Sequence, residues 1–303
     1  MLRPLRSLPD PAELAVVVAE AYGLEVTGCV LLRTLVNDVY RIDTPTCPYV
    51  LKLYGLRHRG DVAWEVRLAA HVAAGGVAIA RGVPLADGRP AGEVAMPEGP
   101  RRYILWEWAP GDRAPRPFDD DLYRRFGMAI ARFHAASAGI DSAPRPAGME
   151  SLLDDVLARV DAADRSLISA LATATRRHLA DVGPQLDRGV CHGDVTLDNA
   201  HLDGARVILY DLDRACDNWR AWDLVGVATT PHWPAFLAGY RTVRPLPDLD
   251  VATLPWLDVL LRIDYLHFHL IGKPAFRGTD SIREGWADQN LQALHKAAAT
   301  LLA

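Results

Sequence analysis

The sequence predicts an α+β fold in two lobes: an N-terminal antiparallel sheet plus one helix, and a larger, mostly helical C-terminal lobe. Three observations carry this expectation. Short strand-like runs fill residues 26–54 and 82–108, with one helical stretch between them. The composition changes at "APGDRAPRPFDDD", a Pro/Gly/charged run that begins at Ala109. Past that run the apolar residues recur mostly at helical spacing. The expected division is residues 1–108 and 109–303.

The elements follow in chain order. Asp10 or Pro11 starts a helix that Gly23 stops. "VTGCVLLRTL", "VYRID" and "YVLKLY" read as three strands, with turns in "VNDVY" and "DTPTCP". "DVAWEVRLAAHVAAGG" reads as a helix ending at Gly75–Gly76, with Val62, Val66, Ala69 and Ala70 expected on its apolar side. Two further strand-like pieces surround an Asp87–Gly88 turn. Beyond the boundary, "DDDLYRRFGMAIARFHAAS" is amphipathic with an acidic first turn. "GIDSAPRPAG" reads as a Pro-rich loop, and the segment 149–182 as two helices. In this half only "RGVCHG" and "ARVILYDLD" read as strands, and the tail is helical again.

Bulk properties exclude some partners. The chain has 303 residues, half of them hydrophobic, which suffices for a large core. A net charge of −5 argues against a nucleic-acid binder. Cys29, Cys47, Cys191 and Cys216 form no C-x-x-C pair and fit no zinc spacing, as expected of reduced cysteines in the cytoplasm. The N-terminal apolar run is broken by Glu20 and lacks a signal-peptide core. No run of about 20 apolar residues suggests a membrane span.

The chemistry centres on "VCHGDVTLDN", which holds His192, Gly193, Asp194 and Asn199. Twelve residues after Asn199, an apolar strand ends in Asp211 and Asp213. A hairpin between the two strands would bring Asp194, Asn199 and Asp211 to one end. Such an oxygen-only set suits a hard cation such as Mg²⁺, which commonly arrives with phosphates. An Asp, an Asn five positions on and a metal-binding Asp on a following strand form the kinase pattern for phosphoryl transfer. That pattern also needs a cation for the nontransferred phosphates. Lys52 stands in the apolar "YVLKLY", where a lysine is costly unless paired. Glu65 follows thirteen residues later, in the order of the kinase lysine–glutamate pair.

"HGDVTLDN" followed by "ILYDLDRACDNWRAWDL" resembles the aminoglycoside phosphotransferase and choline kinase family, over roughly residues 25–295. The resemblance implies a two-lobed protein-kinase-like fold that phosphorylates small-molecule hydroxyls with ATP or GTP and Mg²⁺. It implies that Asp194 orients the acceptor hydroxyl and that Asn199 and Asp211 hold the metal. By the same resemblance Lys52 would hold the α/β-phosphates, Glu65 would hold Lys52, and backbone near Glu107 and Trp108 in "ILWEWAPG" would meet the purine. His192 would shape the loop and Asp223 would brace it. Asp213 would approach a second metal or bond locally. One departure is plain: "LRTLVNDVYRI", where a phosphate-covering loop is expected, has no glycine. Thr34 or Asn37 and nearby N–H groups are the candidates there.

Rival readings have less to stand on. A zinc site of His192, Asp194 and His201 or His232 lacks H-E-x-x-H or paired cysteines. His267 and His269 would face different ways on a helix. Hydrolase and P-loop motifs are missing. A Ser/Thr protein kinase would need a longer activation segment than the eleven residues between Asp211 and Asp223. For the acceptor, residues 262–286 carry Arg262, Lys273, Arg277 and Arg283 against Asp264, Asp280 and Glu284, with Tyr265, Phe268, Phe276 and Trp286. That mix suits a neutral or weakly anionic molecule with a flat ring, such as a nucleoside-type antibiotic, better than a polycation. An aminoglycoside, homoserine or another amino alcohol stays open.

Overall fold

The computed structural model describes the chain apart from residues 1, 3, 57, 59, 142–143 and 145–148, and apart from the side chains of 149 and 150. Most of the expected "GIDSAPRPAG" loop thus lies outside the described residues.

Helix α1 (Pro11–Tyr22) starts where the Asp10 carboxylate accepts from the Ala12 N–H and stops at Gly23 in the left-handed region. Strands β1 (Gly28–Thr34), β2 (Asp38–Asp43) and β3 (Tyr49–Leu53) follow, then α2 (Val62–Ala74), β4 (Gly82–Val83), β5 (Gly92–Val94) and β6 (Arg101–Glu107). These strands form one antiparallel sheet, ordered β1-β2-β3-β6-β4, with β5 also on β6. To the expected sheet and helix the structure adds α1 as part of this lobe. Leu14, Val18 and Tyr22 of α1 close a core with Tyr40, Leu51 and Leu105 of the sheet.

Helix α2 buries the expected Val62 and Ala69, with Val66 partly buried, but Ala70 is exposed. Its larger buried side chains, Trp64, Leu68 and Val72, repeat at i, i+4 and add a second buried side. They join the largest core of the molecule, together with Phe126, Ile130 and Phe133 of α3 (Asp120–Ala136). Before α3, the two-residue β7 (Asp112–Arg113) leaves the first sheet behind.

The C-terminal part continues with α4 (Met149–Leu157), α5 (Ala162–Val182), β8 (Arg188–Cys191), β9 (Ala200–Asp203), β10 (Arg206–Leu209) and β11 (Cys216–Trp219). The expected pairing of "RGVCHG" with "ARVILYDLD" is not formed. Instead β8 pairs with β11, and β10 pairs with β9, which pairs with β7. Sequence reading missed β7, β9 and β11 because each is too short to show alternation. Helices α6 (Val225–Ala228), α7 (Trp233–Val243), α8 (Asp248–His267), α9 (Pro274–Arg277) and α10 (Trp286–Leu301) complete the chain. Helices α3 and α7 cross closely because each offers a glycine: a Cβ on Gly127 would stand 2.1 Å from the Phe236 carbonyl, and one on Gly239 2.0 Å from that of Arg124. Among the described residues, no helix is long and apolar enough to cross a membrane.

Candidate active site

The segment after β8 is held by one buried carboxylate. Asp223 accepts the backbone N–H of His192 at 2.7 Å and that of Gly193 at 2.8 Å. Beneath it the His134 Nε2–H donates to Asp223 at 2.9 Å, and the Tyr240 hydroxyl meets His134 Nδ1 at 2.8 Å. Both ring nitrogens are satisfied by a neutral imidazole. Burial accordingly lowers the His134 pKa below 6.5, against the pull of Asp223. Gly193 turns with φ 83°, and a Cβ there would stand 2.0 Å from the Arg214 carbonyl. Only glycine fits. The turn delivers Asp194, whose Oδ2 accepts from Asn199 Nδ2 at 2.8 Å. The Asn199 amide also donates to the Asp194 carbonyl at 3.0 Å. His192 points away from Asp194: its Nε2–H donates to the Tyr210 carbonyl at 3.1 Å and its ring packs on Phe133.

That last bond ties the loop to the second acidic group. Just past β10, Asp211 adopts φ 70°, which costs a non-glycine residue about 1–3 kcal/mol and marks a functional constraint. Lys52 Nζ lies 2.5 Å from Asp211 Oδ1 and 3.0 Å from Asp213 Oδ2. Arg33 Nη2 stands 3.5 Å from Asp211 Oδ2. Burial alone would raise the Asp211 pKa, but Lys52 outweighs it and holds Asp211 well below the usual carboxylate range. Asp213 goes the other way, pushed up to about 6 by burial and then by its charged neighbour Asp211, against the pull of Lys52. Burial would lower Lys52, yet the two carboxylates keep it firmly protonated.

The expected Lys52–Glu65 ion pair is not formed. Glu65 is buried, but its Oε2 accepts from the Tyr54 hydroxyl at 2.7 Å and its Oε1 faces His58 Nε2 at 3.3 Å. Lys52 Nζ sits 5.2 Å from the centre of the same Tyr54 ring. The carboxylate therefore reaches the lysine through the phenol. Tyr54 follows Lys52 by two positions, one residue past β3, and its N–H still bonds the Arg102 carbonyl at 2.9 Å, so the side chain falls on the face that Lys52 uses. Asn37, a candidate for phosphate, is spent elsewhere: its Nδ2 donates to Asp213 Oδ2 at 2.8 Å, and its Oδ1 accepts the Gly55 N–H at 3.0 Å. Thr34 stays in the β1–β2 ladder. Arg33 is the residue that this glycine-free turn sends toward Asp211, and sequence reading passed over it.

A cavity of about 580 Å³ opens between the lobes, with Val39, Val50 and Lys52 on one wall and His201, Tyr210 and Asp211 on the other. Glu107 and Trp108 close its end. The Glu107 N–H is committed to the Arg81 carbonyl at 2.8 Å, and its carboxylate to the Arg81 guanidinium at 2.6 Å, so neither is free for a base. Trp108 carries the Arg41 guanidinium over its ring. The Ala109 carbonyl accepts from His201 Nδ1 at 2.9 Å. This accounts for His201 without a metal.

Two more chambers meet at Gly193. One, of about 280 Å³, is lined by Asp194, Phe118, Thr230, Arg262 and Tyr265. The other, of about 680 Å³, is lined by Leu179, Arg214, Trp219, Leu260, Ile263 and Asp264. Gly193 and Trp222 border both. Of the segment expected to contact acceptor, Arg262, Ile263, Asp264 and Tyr265 line the two chambers. Lys273 pairs with Glu284, and Arg283 with Asp280 at the surface. Phe276 packs on Arg6, and Trp286 stacks on His269. His267 turns to Asp155. The aromatic walls are Trp219 and Trp222, whose only sequence signal was their closeness to Asp223.

The model of the phosphotransferase enzyme family matches residues 31–250, which span most of β1 to the start of α8 and include Lys52, Glu65, Asp194, Asn199, Asp211 and Asp223. The chain belongs to this family. It is a phosphotransferase acting on a small-molecule alcohol, with the two-lobed α+β fold expected. A homoserine kinase of Azorhizobium caulinodans is 28% identical over 238 residues, covering 73% of each chain. An amicoumacin kinase solved with AMP-PNP, Ca²⁺ and Ami superposes with a TM-score of 0.74 at 18% identity, over 95% of this chain and 94% of that one. A microcompartment-associated aminopropanol kinase also gives 0.74, at 20% identity over 96% of both. At these identities the two structures show the fold of the phosphotransferase and leave its acceptor open.

Proposed function

We propose that this phosphotransferase uses ATP or GTP with Mg²⁺ to phosphorylate a hydroxyl of an antibiotic-like small molecule, with a role in resistance. One observation carries the reading: Asp194, fixed by Asn199 and by the loop that Asp223 anchors, lines a chamber that shares Asp198 with the nucleotide-sized cavity. On this reading residues 1–108 form the nucleotide-binding lobe and residues 109–303 the catalytic and acceptor-binding lobe. Lys52 holds the nontransferred phosphates, Glu65 supports it through Tyr54, and backbone after Glu107, at Trp108 and Ala109, meets the purine edge.

Asn199 and Asp211 fit a hard divalent cation. Both offer oxygen donors, the Asn199 amide spends only its nitrogen on the protein, and Asp211 already faces two cationic side chains. When bound, Mg²⁺ would offset phosphate charge. Asp194 orients the acceptor hydroxyl and takes its proton as the alcohol oxygen bonds the γ-phosphorus. The bond from that phosphorus to the bridging oxygen breaks, and nucleoside diphosphate leaves. The paired charges of the acceptor side favour a neutral acceptor of the nucleoside type over an aminoglycoside. A second reading, a homoserine or amino-alcohol kinase, is favoured by the 280 Å³ chamber on Asp194, which such a molecule would fill.

A mass-spectrometric screen with Mg²⁺ and ATP or GTP tests the reading, with Asp194→Ala as control. Gain of one phosphate on one small molecule, absent in the variant, is expected. Transfer only to protein substrates would instead make this a Ser/Thr protein kinase.

A further inference from the structure

The larger acceptor chamber carries more information than its place beside Asp194. Its 680 Å³ lies within the range of about 300–1,000 Å³ that drug-sized ligands occupy. A four-carbon amino acid would leave most of it to water. Leu152 of α4, Leu179 of α5, and Leu260 and Ile263 of α8 give it apolar walls, and Trp219 and Trp222 add two indoles. Burying apolar ligand surface there is favourable at about 25 cal/mol per Å².

The charges in the lining are spent. Arg214 pairs with Asp264 at 2.5 Å, Asp213 holds both Lys52 and Asn37, and Arg176 also has a partner. A polycation would have to break these pairs to find a carboxylate, and a polyanion to find a guanidinium. Each would leave a desolvated charge behind. The two indoles differ. Trp219 is fixed by its N–H on the Gly183 carbonyl at 3.1 Å. Trp222 has no such tie among the described residues, and it borders both chambers beside Gly193. Asp194 lines the smaller chamber, so an acceptor seated in the large one would reach it across the border formed by Gly193 and Trp222.

We propose that the acceptor is a bulky, mainly apolar alcohol with at most one net charge, whose body fills the 680 Å³ chamber, and that Trp222 and Leu260 are the residues that select it. This rests on the phosphotransferase reading above. Its chemistry adds nothing to that reaction: the phosphoryl group moves from the nucleotide to the acceptor oxygen, and the hydroxyl proton passes to Asp194 and then to solvent.

The test follows phosphate transfer by mass spectrometry for the wild type, Trp222→Ala and Leu260→Trp, over two acceptor sets. Erythromycin, chloramphenicol and puromycin are the bulky apolar alcohols. Homoserine, choline, 1-amino-2-propanol and kanamycin are the small or polycationic ones. Melting midpoints and binding of a nonhydrolysable ATP analogue check that each variant is folded. Transfer to a member of the first set is expected, with kcat/KM about 10–100-fold lower in both variants. Transfer confined to the second set would overturn the acceptor class and leave the phosphotransferase reading standing. Transfer to the first set that neither variant alters would overturn the selecting role of Trp222 and Leu260. A protein that binds the analogue but phosphorylates nothing in either set would overturn both readings.

Discussion

At the scale of single residues, Asp194 is the group whose loss should matter most to turnover and least to folding. It lines a chamber, and its bond from Asn199 is replaceable by water. Asp194→Ala should lower kcat by about 10²–10⁴ with an unchanged melting midpoint; a fully active variant would remove Asp194 from the role of base. Tyr54 poses a subtler question. If Glu65 acts on Lys52 through the Tyr54 hydroxyl, Tyr54→Phe and Glu65→Gln remove the same support. Each should raise the KM for nucleotide by about 10-fold, as loss of a hydrogen bond to a charged group does. The double variant should be no worse than either single one. Additive effects in that cycle would mean that the two residues act independently.

At the scale of elements, the glycine-free turn between β1 and β2 is held from outside the sheet. The Arg6 side chain donates to the Leu35 carbonyl and pairs with buried Asp38, which also binds Arg101 at 2.7 Å. Arg33, near the end of β1, and Asn37, in the turn itself, reach Asp211 and Asp213. Arg6→Met should therefore speed hydrogen exchange at residues 34–38 and weaken nucleotide binding several-fold, while exchange in α8 stays as it was. Unchanged exchange in the turn would show that the ladder alone fixes it. Elements also explain what the sequence could and could not reveal. The Asp194–Asn199 spacing and the strand ending in Asp211 were legible because each is local. The pairing of β8 with β11 was not, since two four-residue strands across a loop leave no periodic trace. Lys52 and Glu65 were both legible as site residues. Their relation was not, because an intervening phenol is invisible to spacing.

At the scale of the whole molecule, one buried cluster links the catalytic loop to stability. His134 is neutral in the fold, its pKa lowered by burial from 6.5. The unfolded chain takes up a proton near pH 6.5 that the folded chain refuses. This contribution to stability is therefore present above pH 6.5 and is lost as pH falls toward the lowered folded value. Melting midpoints should fall between pH 7 and 5, and His134→Gln should flatten that slope. An equally steep slope in the variant would place the titration elsewhere. The two-lobed α+β architecture was legible from strand-like runs, helical spacing and one composition change, whereas the docking of α2 onto α3 was not. The pattern of α2 shows the Val62–Val66 side, which packs on the sheet, but not that Trp64, Leu68 and Val72 meet α3.

The same docking sets how the lobes can part. Behind the cleft, α2 is buried against α3, and the Ile79–Leu209 bridge joins the segment before β4 to β10 through backbone bonds. In front, the lobes meet through Lys52, Arg33 and Asn37 on two aspartates. Because Lys52 is buried and both aspartates are largely buried, dissolved salt screens these front contacts little. What loosens such a latch is a guest that competes for the same lysine or the same two aspartates.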